Sequence, residues 1–474
     1  MVLSRKLGVL VSSTLMGLIC GTLYVYSSYS PQLAQRLGYS ATNASVVALA
    51  GNLAVALTGP FAGVVVDKRG YSIPLFMGAA GLLVGYLGLR AQYIALHGVV
   101  FVLAACLFLA GCGLTCLFLV CLKCCAVTFP QQRGMATALP SAMYGLLAMF
   151  YSVVASSYYA GDTQGFLLFL PVSVAVIFTV CAPLIIMSEP RRLAATPRVV
   201  LVLQPIELKP MGSPVVPPGR NSAYDTVGHT HEPQLLLSPR FWLLFVITGA
   251  MASIGQMYIY SVGYMVKALI ASQYDVAGDL ERFPEIEPFL QNEQLFQVAI
   301  LSFANCSGRL IAGFLGDFVR QKLRKPRSWL LFIPGVGFTI AQFMAHSISD
   351  YHKLKYVSVL SGSMYGFTFC ILPIIVGDVF GIEDFSRNWG LLGLAPLIPS
   401  NLFTTLFGVI YDFNSFTTEF GLHLCLLGKH CYELVFRMSL AVAIVALVVV
   451  FIFNFADSYL SSRTIFGQRL LVHA

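Results

Sequence analysis

The chain has 474 residues, 57% of them hydrophobic and 11% charged, with a net charge of +8. A water-soluble protein carries about 25% charged residues, so water is excluded as the solvent for most of this surface. The positive balance does not argue for a nucleic-acid partner, because lysine and arginine gather in short loops on one side of long uncharged runs.

Those runs are about twenty residues long and apolar on every face, the pattern of membrane-spanning helices; a barrel strand would show about ten residues of alternating polarity. Lipid offers no water to unpaired backbone amides, which again favours helices. Met1 to Lys6 leads directly into a full-length apolar run, so no cleaved leader is expected. In chain order the spans are expected at 8–30, 42–66, 72–90, 98–122, 134–158, 165–187, 240–266, 294–317, 329–346, 355–377, 388–411 and 434–457. Twelve spans return both termini to one side. That side holds 20 of the 29 lysines and arginines, the other side holds 8, and Arg309 lies inside a span. The excess makes the termini cytoplasmic. Residues 188–238, rich in proline and polar side chains, read as a cytoplasmic linker. It separates a six-helix bundle at 1–187 from a second at 239–474 that ends in a short cytoplasmic tail. The fold class is thus an all-α membrane protein, twelve transmembrane helices in two six-helix bundles.

One motif recurs at matching places. After span two comes Gly63-Val-Val-Val-Asp67-Lys68-Arg69-Gly70; span eight ends Gly313-Phe-Leu-Gly-Asp317 and is followed by a basic run, Arg320 to Arg327. Small glycines let helices approach closely, and an aspartate at a helix end can pair with a basic loop or meet the N-terminus of a neighbouring helix. Together these six-span halves and paired motifs resemble the major facilitator superfamily. That resemblance implies a central cavity between the halves and alternating access to its two sides. The first copy has Ser72 and Ile73 where the superfamily motif closes on a basic pair.

Four strings narrow the resemblance: Gly21 to Leu33, Gly308 to Asp317, Asp378 to Gly390 and Cys425 to Tyr432. They are similar to the nodulin-like and monocarboxylate-porter branch, and to the fungal probable transporters named as monocarboxylate transporter homologues. The branch pairs an arginine in span eight with an aspartate one turn earlier. Arg309 matches the arginine, whereas the earlier position is Asn305, and the branch's acidic span-one signature is absent. The resemblance implies a vacuolar rather than plasma membrane, and Glu232 with Leu236 and Leu237 is similar to an acidic dileucine signal read by a sorting adaptor. The same leucines could simply begin span seven.

Arg309 lies eight residues before Asp317, about 12 Å along the helix. A charge there is costly, and either it faces a cavity or its side chain reaches back to the surface. No aspartate or glutamate is expected inside a span, which favours an anionic, carboxylate-like solute held by the guanidinium. Tyr24, Asn52, Tyr144, Gln256, Tyr260, Asn305 and Tyr365 are further cavity candidates, or bond one helix to another. Of the twelve cysteines, Cys425 and Cys431 share the last non-cytoplasmic loop and are expected to form a disulfide. Cys124 and Cys125, at the cytoplasmic edge, are candidates for S-acylation. No catalytic residue, cofactor or metal is expected: the sequence holds no phosphate-binding glycine loop, zinc helix or nucleophile elbow. The expected function is a monomeric secondary transporter of a small solute; the alternative is a nutrient receptor that keeps the transporter fold.

Overall fold

The first apolar run does not fold as one rod. In the computed structural model it forms α1 (Val2–Cys20), a 3-10 turn (Thr22–Val25) and α2 (Tyr26–Leu37). The break falls at Gly21, which lies so close to α6 (Arg133–Tyr158) that an added Cβ would come within 2.9 Å of the Tyr144 carbonyl oxygen. The structure describes residues 2–38, 41–96, 99–159, 162–189, 235–273, 283–417 and 423–472. The linker reading and Glu232 fall outside these residues.

The remaining helices of the first half are α3 (Ala41–Arg69), α4 (Ser72–Ala95), α5 (Val100–Thr128) and α7 (Thr163–Met187). The second half has α8 (Pro239–Gln273), α9 (Phe283–Phe318), α10 (Phe332–Ser347), α11 (Tyr351–Phe380), α12 (Phe385–Leu392), α13 (Leu397–Phe413) and α14 (Glu433–Val472). Among the described residues eleven stretches are long and apolar enough to cross a bilayer, with α12 and α13 forming one of them. The interrupted first span completes twelve. Large apolar side chains such as Phe101, Phe314 and Phe413 are exposed, as a lipid-facing surface requires.

In the first half α5 packs on α1, α3 and α4; in the second α9 packs on α11, and α10 on α14. Between them, α6 lies against α9 and α3 against α12. The far loop holds the one short ladder among the described residues, Phe416–Thr417 antiparallel to His423–Leu424, followed by the disulfide Cys425–Cys431.

Three expectations need correction. Helix α5 runs to Thr128, so Lys123 is a buried helix residue rather than part of a loop. Cys124 and Cys125 are buried too, which removes the exposure that S-acylation needs. Helix α9 begins eleven residues before the expected start of span eight, and Glu293 therefore lies inside the apolar stretch Phe289–Leu323. Its carboxylate accepts from Gln297 Nε2 at 2.9 Å and ends a chain of buried hydrogen bonds through Ser358 to Tyr258. That chain ties α9, α11 and α8 together away from the cavity, near the far end of the bundle.

Candidate functional site

At one end of the bundle each half's aspartate caps a helix of the other half. Asp67, in the last turn of α3, accepts from the amides of Ser386 at 3.3 Å and Arg387 at 2.8 Å, where α12 begins. It also pairs with the buried ammonium of Lys123. Asp317, at the end of α9, accepts from the amides of Gly134 and Met135, both at 2.8 Å, where α6 begins. Its cation is Arg327, 3.0 Å away and buried, which also grips Asp378 at 2.8 Å and the Gly316 carbonyl at 2.9 Å. A carboxylate at a helix N-terminus satisfies orphan amides and meets the positive end of the helix dipole.

The glycines of the motif make these approaches possible. A Cβ on Gly63 would come within 2.3 Å of the Ser386 carbonyl oxygen, and one on Gly313 within 2.4 Å of the Ala138 side chain. Gly70 turns the chain out of α3 with φ +87°, a conformation side chains rarely adopt. Lys68 and Arg69 are exposed. Lys123 was missed because a single lysine at a span's edge reads as a loop cation.

Further along the bundle lies a cavity of about 240 Å³ lined by both halves. Arg309, Tyr144, Asn52, Gln256, Tyr260 and Tyr365 line it. Asn305 stands behind Arg309, and the side chain of Tyr24 falls outside the described ones, although its neighbour Leu23 reaches the wall. Arg309 is 3% exposed. Its Nε donates to Asn305 Oδ1 at 2.9 Å; its Nη1 donates to the Ser141 hydroxyl at 2.7 Å and the Ser141 carbonyl at 3.0 Å. The guanidinium carbon sits 5.6 Å from the Tyr144 ring centre and 6.0 Å from that of Phe369. It therefore reaches across to α6 rather than back to the surface.

These partners orient the guanidinium but do not neutralise it. An amide, a hydroxyl, a carbonyl and two ring faces carry no net charge. Nη2 has no hydrogen-bond partner among the described residues, and Arg309 is the one charged side chain on the cavity wall. Room for it comes from Gly145, where a Cβ would sit 3.1 Å from Asn305 Oδ1 and 3.3 Å from Arg309 Nε. Toward the far end the Tyr260 hydroxyl accepts from Gln256 at 3.4 Å and from Asn52 of the opposite half at 3.5 Å.

Sequence reading missed Ser141, Trp389 and Ser400. Trp389 and Ser400 line the cavity from span eleven, which turns irregularly at 393–396 between α12 and α13. Pro396 and Pro399 mark the place, since each removes a backbone donor from the helix ladder.

Comparison with known proteins agrees with this architecture. The family profile of the Major Facilitator Superfamily matches residues 10–403. An uncharacterised membrane protein of Saccharomyces cerevisiae is 25% identical, with 90% of this chain and 91% of the relative covered. A "probable transporter MCH1" of Wickerhamomyces anomalus is 25% identical over 85% of this chain and 79% of the relative. Among solved structures, the proton:xylose symporter XylE has TM-score 0.60 at 13% identity, covering 95% of this chain and 96% of that one. A bacterial homologue of the iron transporter ferroportin in its outward-facing state has TM-score 0.60 at 14% identity, covering 95% and 99%. At such identities these structures share the fold and nothing finer.

Proposed function

The chain belongs to the Major Facilitator Superfamily, and from that premise we propose that it carries a small anionic, carboxylate-like solute by alternating access to the cavity around Arg309. The observation that supports this reading is the uncompensated guanidinium. A buried charge normally has a counter-charge, since its desolvation is otherwise repaid by nothing. Here every partner is neutral, and one edge of the fork faces a cavity without a carboxylate. A planar anion docking on Nη2 completes the pair with a charge-assisted hydrogen bond.

The two aspartate caps suit the alternation step. Each joins one half to the other by hydrogen bonds at a single end of the bundle, so rocking the halves apart must break both. The latched end carries the motif loops and is the cytoplasmic one in this reading, with the cavity served from the far side. The vacuolar membrane remains the proposed location, with Leu236 and Leu237 exposed ahead of α8 for a sorting adaptor.

Trp389 on the cavity wall provides a direct assay. With Trp242 and Trp329 replaced by phenylalanine, its fluorescence in detergent should respond saturably to short carboxylates. Arg309→Met should abolish the response and Arg309→Lys should keep part of it. A response that Arg309→Met leaves intact would rule out the anion reading and favour the receptor or a neutral solute.

A further inference from the structure

Two threonine hydroxyls on the cavity wall are satisfied within their own helices. Thr115 Oγ1 donates to the Gly111 carbonyl at 2.8 Å, and Thr248 Oγ1 donates to the Leu244 carbonyl at 2.7 Å. Each is the common bond from a threonine to the carbonyl four residues earlier.

Ser400 differs. It is 6% exposed, and of the buried hydroxyls left without a partner among the described residues it is the one on the cavity wall. It sits in the first turn of α13, just past the irregular turn at 393–396.

Tyr260, an exposed residue at the far part of the same wall, presents a second hydroxyl. Two amide donors, Asn52 Nδ2 and Gln256 Nε2, converge on its oxygen. The phenol's own proton has no acceptor among the described residues.

Resting on the anion reading above, we infer that Ser400 is a specificity-determining residue that donates a hydrogen bond to a second oxygen of the solute, separate from the anionic group at Arg309. A buried hydroxyl with no partner is a standing cost that a bound acceptor removes. The wall thus holds three donors awaiting oxygen: Arg309 Nη2, the Ser400 hydroxyl and the Tyr260 hydroxyl. The solute class is an anion that carries an additional acceptor oxygen away from its charge. A purely hydrocarbon tail would leave two of those donors unpaired.

The test uses pentanoate and 4-oxopentanoate, which share a chain length and differ by one carbonyl oxygen that can only accept. Their apparent affinities are read from Trp389 fluorescence in the Trp242→Phe, Trp329→Phe background. One added hydrogen bond makes the oxo acid bind about tenfold tighter in otherwise wild-type protein. Ser400→Ala should bring the two affinities together by weakening the oxo acid alone, and Ser400→Thr should restore the preference. The inference is overturned if both acids bind through Arg309 with equal affinity, or if Ser400→Ala keeps the preference unchanged. Failure of either acid to bind, or binding that survives Arg309→Met, overturns the anion reading and this inference with it.

Discussion

Helix α9 carries two buried charges two turns apart, and they live under opposite rules. At its end, Asp317 meets Arg327, Arg327 meets Asp378, and the remaining carboxylate lone pairs take the amides of Gly134 and Met135. Eight residues earlier, Arg309 is as deeply buried and is held as firmly, yet by neutral groups only. The contrast separates fastening from function. A compensated charge stabilises the state that contains it, whereas an uncompensated one is a liability until a ligand arrives.

The largest expected effect comes from breaking the compensated set. Asp317→Ala leaves two helix amides without their acceptor and takes one of two carboxylates from the buried Arg327 guanidinium, which keeps Asp378; it should cost about 2–3 kcal/mol, read as a lower thermal-unfolding midpoint in detergent. Arg309→Met should behave in the reverse sense: unfolding stays near wild type or rises, while affinity for a short carboxylate falls about a hundredfold. If both substitutions destabilised equally, the distinction would collapse.

Converting one kind of charge into the other is a smaller and sharper change. Asn305→Asp places a carboxylate where Arg309 Nε now meets an amide. At neutral pH it should lower anion affinity about tenfold by supplying the missing counter-charge internally. Gly63→Ala acts on the Asp67 latch alone, pushing α3 from the start of α12. It should raise the labelling rate of a cysteine placed at Thr137, inside the latched end, about threefold, a shift of under 1 kcal/mol toward the open form. The same substitution should leave the affinity measured at the cavity unchanged within a factor of about two.

What sequence could show follows from how isolated each signal is. An arginine in an otherwise apolar run is conspicuous, so Arg309 was legible, as was Asp317, fixed by glycines at matching places in two halves. The partners were not. Ser141 and Ser400 look like any small polar residue in a membrane helix, and what sets them apart, a guanidinium from the opposite half or a hydroxyl without an acceptor, shows only in the packed structure. Lys123, one step past the expected end of its span, read as a loop residue, and Glu293, one step before the expected start of its own, was likewise placed outside. Apolar runs mark span centres well and span ends poorly, since lipid and protein interior select the same side chains there. The break at Gly21 was not legible either, since its close approach to the Tyr144 carbonyl shows only in the packed structure.

Flux through reconstituted protein bears most directly on the central claim that Arg309 is the anion's docking point. Proteoliposomes should take up labelled 4-oxopentanoate faster than protein-free vesicles, and Arg309→Met protein that folds normally should fall to the protein-free rate. Uptake by the Arg309→Met variant at the wild-type rate would contradict the account.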